Sequence, residues 1–105
     1  MKKMTNNLRC TLTTPELRHR KATVLKRLQS QILEKQELAN GFSFRFPGSD
    51  EMVDHLTEFI KTERACCNFF TFDLSVKGDK SESWLRLSGP EGVKDFIRDE
   101  LGFLK

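Results

Sequence analysis

Phenylalanines that alternate with polar residues constrain this chain more than any other feature of its sequence. The segment 42–46 reads Phe-Ser-Phe-Arg-Phe, and the segment 70–76 continues the same alternation as Phe-Thr-Phe-Asp-Leu-Ser-Val. An apolar residue at every second position predicts a strand with one buried face. A third strand is predicted over Ser83–Ser88, and the polar turn at 77–81 would join it to the second as an antiparallel hairpin. One face of this sheet needs a covering layer.

Three segments with helical spacing of apolar residues can supply that layer. Thr13 or Thr14 can cap the first helix, which is predicted to run to about Lys35. The second helix is predicted to follow the cap residue Ser49 and to end at the adjacent cysteines 66 and 67. The third is predicted to follow the segment Gly-Pro-Glu at residues 89–91 and to end at Gly102. A shorter alternating segment, Leu8–Leu12, is compatible with an edge strand.

The predicted order is therefore β-α-β-α-β-β-α. This is an α/β (α+β) fold, with a mixed, mostly antiparallel sheet and helices packed on one face. The chain has 105 residues, close to the usual size of one domain. We expect a flexible tail at residues 1–7 and one domain at residues 8–105.

Composition and charge exclude several classes of protein. No apolar run approaches the roughly 20 residues that span a bilayer, so a membrane-spanning protein is not expected. Three cysteines are too few for the disulfide scaffold of a small secreted protein, and we therefore expect a cytoplasmic protein. Residues 1–35 hold nine Lys and Arg residues and two acidic residues, an excess of positive charge that can indicate nucleic-acid binding. The same segment has no Phe or Trp residue to stack on bases, so we expect the basic residues to form the solvated face of a helix. Trp84, on the outward face of its strand, would be the contact residue of a homo-oligomer.

The most informative chemical feature is the adjacent pair Cys66 and Cys67. Adjacent Cα atoms lie about 3.8 Å apart, below the usual disulfide range of about 4.4–6.8 Å, so two separate thiols are predicted. Glu63 precedes them by three and four residues and shares their helical face. Cys10 would join them if the segment Leu8–Leu12 pairs beside the end of the second helix.

Three interpretations of these residues remain open. Cys10, Cys66, Cys67 and Glu63 could hold a soft metal ion such as zinc or mercury, or a metalloid, although their spacing matches no known zinc pattern. His19 and His55 are weaker candidate ligands. The cysteines could instead be core residues of a structural or protein-interaction domain, or act as thiol nucleophiles on an electrophile or organometal with Glu63 as proton donor. A helix C-terminus and Glu63 both raise a thiol pKa, so we expect binding rather than catalysis and assign no catalytic residue.

The run from Glu63 to Leu74, ERACCNFFTFDL, resembles a family of small uncharacterised bacterial proteins. Similar segments occur at the C-terminus of some mercury-resistance-type (MerR-like) transcription regulators. The resemblance covers most of residues 9–102, including Cys10-Thr11-Leu12, Phe44-Arg45-Phe46-Pro47 and Gly89-Pro90-Glu91-Gly92. Asn68 stands where the family more often has proline. The resemblance implies a metal or metalloid role for Cys10, Cys66 and Cys67 by association alone.

Overall fold

Residues 14–103 fold into three helices and a four-stranded antiparallel sheet. A computed structural model describes these residues, except for the side chain of Cys66. The elements are helix α1 (Pro15–Gln29), strands β1 (Glu34–Leu38) and β2 (Gly41–Phe46), helix α2 (Asp50–Cys66), strands β3 (Thr71–Val76) and β4 (Ser83–Ser88), and helix α3 (Val93–Phe96), which continues as a π-helical turn (Ile97–Leu101). The strand order is β1-β2-β4-β3, and all neighbours are antiparallel. The predicted α+β class is confirmed.

The helices cover the apolar face of the sheet. Two rows of cross-strand partners form this face, Phe42–Leu87–Phe72 and Phe44–Leu85–Leu74. The ring of Phe59 in α2 packs edge-on against Phe72, with centroids 6.3 Å apart, and the ring of Phe103 packs against Phe44 at 5.2 Å. Most of the alternating phenylalanines are therefore core residues, and Phe72 packs against the core half-buried.

The opposite face of the sheet carries polar side chains and one tryptophan. Arg86 bonds to Asp73 on the neighbouring strand, with Nε 3.3 Å from Oδ2. Trp84 is partly buried, and its Nε1 donates a hydrogen bond to Glu82. Arg86 is thus paired within the sheet, and Trp84 is paired with the residue just before its own strand.

The residues predicted to begin and end the helices do so in the structure. The hydroxyl of Thr14 accepts a hydrogen bond from the backbone N–H of Leu17, and the hydroxyl of Ser49 accepts one from Met52. Both are N-caps that satisfy otherwise unpaired backbone donors. Gly102 follows the last helical turn with φ of 70°, a left-handed conformation that favours glycine.

One predicted boundary is wrong. Helix α1 ends at Gln29 rather than near Lys35, and Glu34–Leu38 forms strand β1. Ile32 extends the apolar spacing of α1 in the sequence, yet it packs on the core from the turn after the helix. Strand β1 is an exposed edge strand whose sequence shows no apolar alternation. It forms because its backbone pairs with that of β2.

The order within residues 14–103 is thus α-β-β-α-β-β-α, and their sheet is wholly antiparallel rather than mixed. The predicted strand Leu8–Leu12 and the tail at 1–7 lie outside the described residues. No helix in residues 14–103 is long and apolar enough to span a membrane.

Candidate functional site

The end of helix α2 carries the part of the predicted site that the structure describes. Glu63 and Cys67 are both fully buried, and the backbone N–H of Cys67 donates to the carbonyl of Glu63 at 2.6 Å. Their four-residue spacing therefore places them on one inward face, as predicted. Cys66 is the last residue of α2, and Cys10 lies outside the described residues.

Helix α1 packs antiparallel to α2. The Nη1 atom of Arg27 lies 3.6 Å from Oε1 of Glu58. Lys21, six residues earlier in α1, meets Glu63, five residues later in α2. The first half of α1 consequently packs against the end of α2 that carries the cysteines.

Lys21 completes a buried cluster with Glu63 and Cys67. Its Nζ lies 3.5 Å from Oε1 of Glu63 and 3.9 Å from Sγ of Cys67, and 5.9 Å from the ring centroid of Phe96. The Lys21 side chain is 11% exposed and that of Glu63 is 0% exposed. We call these three residues the Lys21–Glu63–Cys67 cluster. The ion pair compensates two charges that would be costly to bury separately.

The sequence analysis missed Lys21, although a signal for it exists. Lys21 lies at helical spacing from Val24, Leu25 and Leu28, and therefore within the apolar stripe of α1. A lysine on such a face is rarely buried without a partner. Its position thus indicates a buried acidic group on a neighbouring element.

Burial controls the ionisation of the cluster. It raises the pKa of Glu63 above its usual value of 4.5, against the opposing effect of the Lys21 ammonium. Burial also raises the pKa of Cys67 from 9.0 to about 12, the negative charge of Glu63 adds to this effect, and Lys21 opposes it. The Cys67 thiol is protonated at neutral pH. The expected direction of this pKa shift is confirmed, but burial is a larger cause than Glu63.

The carboxylate of Glu63 is incompletely satisfied. It contacts the Lys21 ammonium and the Cys67 thiol. Neither of its oxygens has a hydrogen bond of standard geometry within residues 14–103. A buried carboxylate normally accepts several hydrogen bonds, whereas within residues 14–103 this one has polar contacts with Lys21 and Cys67 of less than standard hydrogen-bond geometry.

A surface depression of about 510 Å³ borders the cluster. Cys67 is one of its lining residues, although the residue has no solvent-exposed surface. The other lining residues are Ile60, Arg64, Asn68, Phe70 and Phe72.

Neither histidine joins the cluster. His55 lies twelve residues before Cys67, roughly 18 Å along the axis of α2, and its Nδ1 is 3.4 Å from Arg27. His19 is exposed on α1. Among residues 14–103, apart from the Cys66 side chain, no group of three His, Cys, Asp or Glu residues is arranged to hold a metal ion.

Comparison with protein-family models, with curated protein sequences and with solved structures finds no match to this chain. The fold and the Lys21–Glu63–Cys67 cluster are therefore the basis of the functional argument.

Proposed function

We propose that this chain is a thiol-based binding domain for a soft metal or metalloid, with Cys10, Cys66 and Cys67 as ligands and Glu63 beside them. The supporting observation is the buried, incompletely satisfied carboxylate of Glu63 next to the buried Cys67 thiol, directly after Cys66 in the chain. Unsatisfied buried polar groups are rare in folded proteins, and binding an ion is one way to satisfy them.

The path of the chain makes a contribution from Cys10 feasible. Thr14 lies seven residues before Lys21, which is roughly 10 Å along the axis of α1. Cys10 is four residues earlier still, and four residues span at most about 14 Å. Since Lys21 contacts Cys67, this length of chain is enough for Cys10 to serve as a ligand in the proposed site.

A soft ligand suits these residues chemically. Thiolates select zinc, copper(I), mercury and similar thiophilic centres over hard ions. Cys67 keeps its proton in the free protein, and coordination would remove it, because a bound soft ion stabilises the thiolate. Thiols that stay reduced are typical of the cytoplasm, where we place this function.

The same geometry bears on the two alternatives. A thiol enzyme needs an accessible thiolate, whereas Cys67 is buried and protonated at neutral pH, so these properties of Cys67 favour binding over catalysis. A purely structural role is favoured by the place of Cys67 in the hydrophobic core. Binding measurements separate that role from the proposed one.

The test is native mass spectrometry of the full chain with Hg²⁺, Zn²⁺ or arsenite. A phosphine reductant is used because thiol reductants compete for these ligands. We expect one ligand per chain, with affinity at least roughly tenfold weaker in Cys67→Ser. Ala65→Ser is the matched control, since it adds a hydroxyl at an exposed position of the same helix end. No stoichiometric binding, or unchanged binding in the double variant Cys66→Ser/Cys67→Ser, would contradict the proposal.

A further inference from the structure

We infer that this chain pairs with a second copy of itself along the outer edge of strand β3, so that two four-stranded sheets join across a twofold axis. Strand β3 is the last in the order β1-β2-β4-β3, and within residues 14–103 no strand pairs with its outer side. Such an edge presents backbone N–H and C=O groups that a further strand can bind. The inference is independent of the proposed soft-metal site.

The hydrogen-bond pattern of the sheet identifies the backbone groups at this edge. The N–H of Lys77, directly after β3, donates to the carbonyl of Glu82, and this pair continues the register of β3 with β4. In an antiparallel ladder, residues that bond to the neighbouring strand alternate with residues whose N–H and C=O point away from it. The odd-numbered residues of β3 therefore bond to β4. The outward-facing groups belong to Phe72, Leu74 and Val76, which are arranged symmetrically about Leu74.

A second copy of β3 fits this edge in one antiparallel register. With Leu74 opposite Leu74 of the second copy, Phe72 lies opposite Val76, and every outward-facing backbone group of the strand is paired. A shift of two residues in either direction leaves Phe72 or Val76 without a partner inside the strand. One of these shifts also places Asp73 opposite Asp73, where like charges repel. A shift of one residue would place apolar side chains opposite polar ones.

The side chains agree with this register. Val76 is a 45% exposed apolar residue, and it would lie beside Phe72 of the second copy, which lines the depression next to the Lys21–Glu63–Cys67 cluster. On the polar face, the exposed carboxylate of Asp73 would face the hydroxyl of Ser75, a hydrogen-bond donor. The long side chain of Lys77 would lie diagonally within reach of the same carboxylate. The strand is thus complementary to itself.

The other edge of the sheet has a different chemistry. Strand β1 reads EKQEL, so three of its five residues are charged, whereas Asp73 is the single charged residue of β3. Charged side chains on an edge strand oppose its pairing with another chain. We therefore expect association at β3 and not at β1. This contact also differs from the one expected at Trp84, which lies in β4, one strand further from the edge.

The first test measures the wild-type chain. Sedimentation equilibrium with a phosphine reductant, which excludes disulfide-linked dimers, should show a reversible dimer with a Kd of roughly 1–100 µM, as suits a small interface. Amide hydrogen exchange followed by NMR locates the contact. The amides of Phe72, Leu74 and Val76 should be protected in the dimer and exchange rapidly after dilution. Those of Asp73 and Ser75, which bond to β4, should stay protected in both states.

Charge variants test the register. Ser75→Asp places two carboxylates opposite each other at two symmetric positions, so the dimer Kd should rise at least about tenfold. The exchange variant Asp73→Ser/Ser75→Asp again places one carboxylate opposite one hydroxyl, and its Kd should return towards that of the wild type. Gln36→Asp is the control, because it adds the same charge at an exposed residue of β1. Its Kd should stay within about twofold of the wild type.

Three outcomes would overturn the inference. One is a chain that stays monomeric up to roughly 1 mM. Another is a dimer whose concentration-dependent protection lies outside β3 or whose Kd is unchanged by Ser75→Asp. The third is protection of Phe72, Leu74 and Val76 in the monomer, which would show that another part of the same chain, such as residues 1–13, covers this edge.

Discussion

Cys67 illustrates how the surroundings of one residue set its chemistry. Its side chain lies in the hydrophobic core, with Glu63 as an acidic neighbour and the Lys21 ammonium as a compensating cation. The folded state holds the thiol proton more strongly than the unfolded chain does. This thiol therefore contributes less to stability as the pH rises from 9 to about 12.

Slow alkylation of Cys67 is the prediction at the residue scale. In a Cys10→Ser/Cys66→Ser chain, Cys67 is the only thiol, and iodoacetamide labelling can be followed by mass spectrometry. A pKa of about 12 in place of 9.0 lowers the thiolate fraction at pH 8 roughly 1,000-fold. Burial slows access as well, so we expect labelling at least 100-fold slower in the folded chain than in urea. Equal rates in the two states would show that Cys67 is exposed and ionised normally.

The residues of the cluster were predictable to different degrees. The spacing of Glu63 and Cys67 on one predicted helix was enough to place them together. Their neighbour Lys21 depends on how α1 packs on α2, which the sequence of either helix alone does not specify. Burial of Cys67 likewise follows from tertiary packing, so the size of its pKa shift could not be predicted locally.

At the scale of elements, segments with a local sequence pattern are predictable, whereas a segment that depends on pairing with a distant strand is not. Strands β2 and β4 alternate apolar and polar residues, and α2 has its own N-cap, so the sequence predicts them closely. Strand β1 has the polar sequence EKQEL and gains its structure from pairing with β2. Its side chains carry no periodic signal, so the sequence does not predict this strand, and the predicted first helix extends over its first two residues.

The close approach of β2 to β4 gives a prediction for two glycines. A Cβ atom on Gly41 would collide with the backbone carbonyl of Leu87, which cannot move without breaking the strand pairing. A Cβ on Gly78, in the turn between β3 and β4, would meet no atom within 4 Å. We expect Gly41→Ala to lower the free energy of unfolding by roughly 3 kcal/mol and Gly78→Ala to change it by less than about 0.5 kcal/mol. Urea denaturation measures both, and similar values would contradict the described pairing of β2 and β4.

At the scale of the whole molecule, the residues after α3 tie its layers together. The side-chain amide of Gln29, at the end of α1, donates to the carbonyl of Leu101 at 2.8 Å. Phe103 is 1% exposed, and its ring lies 5.5 Å from that of Phe59 in α2 as well as 5.2 Å from that of Phe44 in β2. One aromatic side chain thus connects the helical layer to the centre of the sheet.

Phe103→Ala should therefore destabilise the entire domain rather than fray its C-terminus. Removing a buried phenylalanine costs about 3–5 kcal/mol, a large part of the roughly 5–15 kcal/mol that stabilises a domain. The expected result is one cooperative urea transition at lower denaturant concentration, seen equally by Trp84 fluorescence and by far-ultraviolet circular dichroism. Leu33→Ala, at a 54% exposed residue, is the control and should shift the transition little. A Phe103→Ala chain that keeps its transition midpoint would show that the two layers are held together without this residue.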